Sequence, residues 1–183
     1  MKRWLKKTGI LAASAVALTS LISAVPASAD VSRVEYFTIQ NNTACDSSIR
    51  MTGIYFNINN ISGTTVQATL YLYKNDGTPY TSSGITTGTG YSSTIVPGTG
   101  VTIAPHSTQQ YAAVFGGQTN GTTVTTYLPC TDRPAYGKIV VESETGLIMA
   151  NGEITGSDKV DPNNTNRNLY NHREVNINEG RPF

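Results

Sequence analysis

Apolar and polar side chains exchange places at every second residue along most of the chain, a period that suits a strand and not a helix of 3.6 residues per turn. Val34, Tyr36 and Thr38 alternate with Glu35, Phe37 and Ile39. Ile54, Phe56 and Ile58 alternate with Tyr55 and Asn57, and Val66, Ala68, Leu70 and Leu72 with Gln67, Thr69, Tyr71 and Tyr73. Further strands are expected over residues 101–103, 109–115, 122–128, 136–142, 147–154 and 173–177. Turn residues punctuate these runs: Asn59-Asn60-Ile61-Ser62-Gly63 at hairpin length, Asn75-Asp76-Gly77, Pro97-Gly98-Thr99-Gly100 and Ala104-Pro105-His106-Ser107. After residue 29 no stretch of ten residues carries helical apolar spacing free of Gly and Pro. Many short strands with regular turns predict a single antiparallel β-sandwich, immunoglobulin-like or jelly-roll-like, over residues 30–183. The polar, Asn-rich segment 158–171 reads as a long loop before a last strand.

The first 29 residues follow a different rule. Lys2, Arg3, Lys6 and Lys7 precede an apolar run of about 16 residues, too short for the ~20 that span a bilayer. Pro26-Ala27-Ser28-Ala29 closes it with a small-x-small site. This is the order of a cleavable secretion signal, so residues 1–29 are expected to leave and a secreted protein to begin at Asp30. No membrane span is expected in the mature chain.

The signal takes four of the 13 basic residues and none of the 12 acidic ones, which gives the mature chain a net charge of −3. Phosphate contacts need clustered Lys and Arg, and no basic run remains, which argues against nucleic-acid binding. The two cysteines, Cys45 and Cys130, are both in the mature region, where an exported chain can keep a disulfide. That bridge would close about 86 residues, worth about 4–5 kcal/mol in the chain-entropy description. Two distant cysteines do not make a zinc site.

Chemistry-bearing patterns are few. Bases are limited to His106 and His172, and no nucleophile elbow is present, so acyl transfer has no support. Glu142 and Glu144 stand two apart on a strand, and Glu153 could join them if residues 136–142 and 147–154 formed a hairpin; that is the best paired-carboxylate arrangement for a small hydrolase. Asp158, Asp161 and Asn163 gather in the polar loop as a weak calcium candidate, without the EF-hand spacing. No cofactor is implied. Four Asn-x-Ser/Thr matches, at Asn41, Asn60, Asn120 and Asn163, read as turn composition. The richer signal is tyrosine. All ten tyrosines lie beyond residue 29, while the single Trp, Trp4, lies within it. If Leu70 and Leu72 face the core, Tyr71 and Tyr73 face outward, and Tyr80 and Tyr91 flank the next Gly-rich segment. An outward aromatic row can hold a sugar ring or anchor a protein.

The run Leu70-Tyr71-Leu72-Tyr73-Lys74-Asn75-Asp76-Gly77-Thr78, the strand start Tyr136-Gly137-Lys138-Ile139 and the tail Asn176-Ile177-Asn178-Glu179-Gly180-Arg181-Pro182-Phe183 resemble small exported, uncharacterised β-sandwich proteins of Gram-positive bacteria. The likeness spans about half the mature chain and implies a fold and a compartment without a chemistry. The expected function is therefore a secreted, non-enzymatic structural or interaction module at the cell exterior. Its partner would be a cell-surface polysaccharide, a protein or a second copy. The alternatives are a carbohydrate- or cell-wall-binding module using exposed Tyr and the small hydrolase named above. N-terminal sequencing of secreted material should start at Asp30; a product that still carries Trp4 would mean an uncleaved anchor.

Overall fold

A computed structural model describes residues 32–39, 45–47, 49–86, 92–120, 123–159 and 168–183. Residues 1–29, expected to form a secretion signal, and Tyr91, Asp161 and Asn163 lie outside them. Among the described residues, ten strands form two antiparallel sheets: β1 Ser32–Thr38, β2 Arg50–Asn60, β3 Val66–Tyr73, β4 Pro79–Tyr80, β5 Gly100–Ile103, β6 Thr108–Asn120, β7 Thr123–Thr126, β8 Tyr136–Glu142, β9 Ile148–Lys159 and β10 Asn168–Val175. The first sheet runs β1-β8-β3-β4, with β5 also paired to β3; the second runs β10-β9-β2-β6-β7. Among the described residues the only helical pieces are two 3-10 turns, Cys130–Asp132 and Asn178–Gly180. The all-β sandwich expected from alternation is the fold.

The alternation does the sorting. Leu70 and Leu72 of β3 and Ile139 and Val141 of β8 are fully buried, as are Ile54, Phe56 and Ile58 of β2 and Phe115 of β6. These inner faces meet in one core, in which each large apolar side chain contributes about 1.5–3 kcal/mol. Two ring contacts join the layers: Phe37 to Phe56 at 5.0 Å between centroids, and Tyr80 to Phe115 at 6.1 Å. Where a strand turns back in its own sheet, the chemistry is the expected one. Gly77 takes φ +84° at the β3–β4 turn, a conformation that other residues reach only with strain, and Asp76 Oδ1 accepts the backbone N–H of Thr78 at 2.9 Å.

Three expectations are corrected. Residues 59–63 do not close a hairpin, because β2 and β3 belong to different sheets and the chain crosses the sandwich there. Strands β8 and β9 are likewise in different sheets. The predicted loop 158–171 is in part strand: β9 runs to Lys159 and β10 starts at Asn168, with Asn168 opposite Lys159 and Val175 opposite Gly152. A ribbon at the rim of a sheet can be polar on both sides, so its composition imitates a loop.

Polar groups hold the crossings. Asn60, the last residue of β2, is only 2% exposed. Its Nδ2 donates to the carbonyls of Thr64, Ile103 and Ala104 at 2.7, 3.0 and 3.1 Å, and its Oδ1 accepts from the N–H and hydroxyl of Ser62. One side chain thus ties the end of a second-sheet strand to β5 of the first sheet. The Arg33 guanidinium donates to the carbonyls of Ser143 and Gly146 and fixes the β8–β9 crossing. The disulfide joins Cys45, ahead of β2, to Cys130, ahead of β8, with Cα atoms 5.7 Å apart. Replacing Asn60 by Ala leaves the buried Ile103 carbonyl without its Asn60 donor and should lower stability by about 1–3 kcal/mol in urea melts. A loss under about 0.5 kcal/mol, the size of an ordinary surface change, would show that the latch is dispensable.

Candidate functional site: a tyrosine-lined sheet face

The residues between the core positions of β1, β3 and β8 form the outer face of the first sheet. Lys138 at the centre of β8 stands opposite Tyr36 of β1 and Tyr71 of β3. One pair further along, Tyr73 of β3 stands opposite Tyr136 of β8. Lys138 Nζ sits 5.0 Å from the Tyr71 ring centroid and 5.9 Å from that of Tyr36, within the reach of cation–π attraction. The Tyr73 and Tyr136 rings stack at 5.0 Å with their planes 16° apart. Four tyrosines and a lysine therefore make a continuous band across three strands. Tyr36 is 70% exposed and Tyr136 37%, while Tyr71 and Tyr73 are half-buried by their neighbours.

The edges of the band carry charge. Lys74, which follows Tyr73, pairs with Asp132, and the hydrogen bond its ammonium donates to that carboxylate is the main reason it is held above its ordinary pKa. Glu142 lies at the other end of β8, exposed and opposite Gln67. Tyr71 and Tyr73 occupy the side of β3 opposite Leu70 and Leu72, as alternation requires. Tyr36, Tyr136 and Lys138 were not among the sequence candidates, since what places them beside Tyr71 and Tyr73 is strand pairing, and periodicity carries no record of which strands pair.

Tyr80 is a correction. It is 2% exposed, inside the sandwich. β4 is only two residues long, too short for its own alternation to be read, and pairing sets Tyr80 opposite buried Leu72. Its hydroxyl accepts from Tyr111 of β6 at 3.4 Å, and Tyr111 also donates to the carbonyl of Ser82 at 3.2 Å. It cannot serve an outward aromatic row. The carboxylate cluster is corrected as well. Glu142 and Glu144 are exposed at one end of the first sheet, whereas Glu153 is in the second sheet, opposite Tyr55 and Glu174. The three do not converge, because residues 143–147 cross between layers rather than closing a hairpin. Glu153 instead meets His172, with Nε2 to Oε1 at 3.3 Å. Of the calcium candidates, Asp158 belongs to β9, and among the described residues no group of three His, Cys, Asp or Glu could hold a metal ion.

Fold and site together define a two-sheet antiparallel sandwich with a tyrosine-lined outer face. No protein-family model, no curated protein and no solved structure matches the chain.

Burial pushes the phenols of Tyr80 and Tyr111 above the usual tyrosine range; for Tyr80 the hydrogen bonds with Tyr111 and Ser82 act the other way, and for Tyr111 the neighbouring Tyr80 adds to the rise. The folded state thus holds both phenols neutral while the unfolded chain ionises them from about pH 10. Their contribution to stability is complete below that pH and is lost as pH rises further. Denaturant melts should show an alkaline loss that the double variant Tyr80→Phe/Tyr111→Phe reduces. Parallel losses in wild type and variant would remove these phenols as the cause.

Proposed function

We propose that this protein is an exported, non-enzymatic binding module that works at the cell exterior by docking a protein surface, a second copy included, on its tyrosine band. The observation that carries this reading is the band itself: Tyr36 and Tyr71 flanking Lys138, and the Tyr73–Tyr136 stack beside them, on an outer sheet face. Tyrosine gives large contact area at a cost of few rotatable bonds, and it is enriched among residues that dominate binding energy. Here the rings are already ordered against one another and against a rigid sheet, so little side-chain entropy is left to lose on docking. Export is supported by the basic, apolar and small-x-small order of residues 1–29 and by the Cys45–Cys130 bridge, which persists in oxidising surroundings. The resemblance to small exported proteins of Gram-positive bacteria points to the same compartment.

Substituting both Tyr71 and Tyr73 by Ser should weaken the contact at least about tenfold, equivalent to about 1.4 kcal/mol. The fold should survive with a stability loss of about 1–2 kcal/mol, the sum of one lost stack and one lost cation–π contact. Sedimentation velocity of the secreted protein over a range of concentrations, with retention on protease-treated and untreated producing cells, measures the contact. A wild-type protein that stays monomeric and is not retained, or a double variant that behaves as wild type in both assays, would overturn the proposal.

A further inference from the structure

The outer face of the second sheet is built differently, and we infer that it carries a separate site for a neutral polyhydroxylated chain, an oligosaccharide. Small residues meet at its centre. Gly53 of β2 stands opposite Val114 of β6 and Thr155 of β9, and the next pair along sets Tyr55 between Ala112 and Glu153. The result is a depression of about 470 Å³ over three strands. Gly53 makes it possible. A Cβ at that position would come within 2.6 Å of Tyr55 Cε2, of the Tyr55 hydroxyl and of Thr155 Oγ1. Without it, the Tyr55 ring leans along its strand across Gly53 and forms part of the floor instead of standing out as a wall.

The remaining lining has the chemistry that sugar hydroxyls need. Asn57 stands opposite Gln110, and Gln110 Nε2 donates to the Ser92 carbonyl at 2.7 Å, which fixes the orientation of that carboxamide. Glu153 lines the depression with its carboxylate held by His172. Planar carboxylate and carboxamide groups can accept from or donate to two adjacent hydroxyls at once, and the Tyr55 ring, laid over Gly53 beside them, can stack on the apolar face of a sugar ring. From Met51 to Asn57 the floor runs six residue steps, about 20 Å at roughly 3.3 Å per step, a length suited to a chain rather than a single ring. No residue lining the depression is basic, so an anionic glycan or a phosphate meets no compensating charge. The tyrosine band differs on both counts, with a lysine at its centre and a row of rings across three strands in place of a cup. The site does not depend on the function proposed for that band, since the two lie on opposite sheets.

The test uses the secreted, disulfide-bonded protein with cellohexaose, xylohexaose, mannohexaose and chitohexaose as probes, followed by calorimetry and amide NMR. At least one probe should bind and shift the amides of β2, β6 and β9. Tyr55→Ala and Glu153→Ala should each lower the affinity at least tenfold, Glu153→Gln should lose less than Glu153→Ala, and Tyr71→Ser/Tyr73→Ser should leave it unchanged. Because Tyr55→Ala could disturb the sheet, Asn57→Ala supplies a second lesion, and only variants with wild-type melting curves are compared. Absence of binding to all four probes overturns the inference. So does binding that survives Tyr55→Ala, Glu153→Ala and Asn57→Ala but is lost in Tyr71→Ser/Tyr73→Ser, a result that would move sugar binding to the tyrosine band while leaving that band's role in place.

Discussion

Everything on either surface depends on the contact between the two inner faces. Phe37 against Phe56 and Tyr80 against Phe115 join the layers, and the fully buried Leu70, Leu72, Ile54, Ile58 and Ile139 fill the space between them. In a strand, burying one set of side chains fixes the direction of the other. The core therefore aims Tyr71, Tyr73, Tyr136 and Lys138 to one side of the molecule and Gly53, Tyr55, Glu153 and Thr155 to the other. A one-residue slip of β3 would bury Tyr71 and Tyr73 and expose the leucines. The cost of removing several fully buried apolar side chains from the core forbids it.

The crossings between layers need their own restraints, because hairpins account for few of the connections. Where the chain leaves β2 for β3, Asn60 takes up three carbonyls from two segments; where it leaves β8 for β9, Arg33 gathers two. The disulfide acts on the two segments that lead into β2 and β8, the strands at the middle of their sheets. At the β2 crossing the Ile103 carbonyl that Asn60 reaches is buried, and a buried carbonyl without a donor is expensive. The same logic explains why Asn60 is not the surface turn residue that its Asn-x-Ser setting suggests.

How much of this was legible follows from the reach of each signal. Alternation over the eight residues of β3 was long enough to assign faces, and Asp76-Gly77 announced its turn. The pair Pro79 and Tyr80 offered no period at all, so Tyr80 read as a free aromatic although its partner Leu72 draws it into the core. Residues 59–63 and 143–147 have the length of hairpin loops, but length does not say whether the next strand stays in the sheet or joins the opposite one. That choice belongs to the whole core, and it separated Glu153 from Glu142 and Glu144 while bringing Tyr136 to Tyr73. The ends of β9 and β10 read as loop because their polar, Asn-rich sequence shows no apolar alternation, so period two has nothing to register there.

The two outer faces also differ in what docking would cost them. In the tyrosine band, Lys138 already rests against two ring faces, so part of its hydration is replaced before a partner arrives, and the stack of Tyr73 on Tyr136 leaves each ring one face to offer. A partner would meet an ordered surface, with affinity set by shape and by area rather than by one charge pair. In the depression of the second sheet Gln110 is held from behind by the Ser92 carbonyl, so its orientation is fixed before any hydroxyl approaches, and Glu153 stands beside the exposed His172. The glycine at position 53 is what separates the two designs. With a side chain there, Tyr55 could not lie along its strand, the floor would rise, and the second sheet would present a ridge of side chains much like the first.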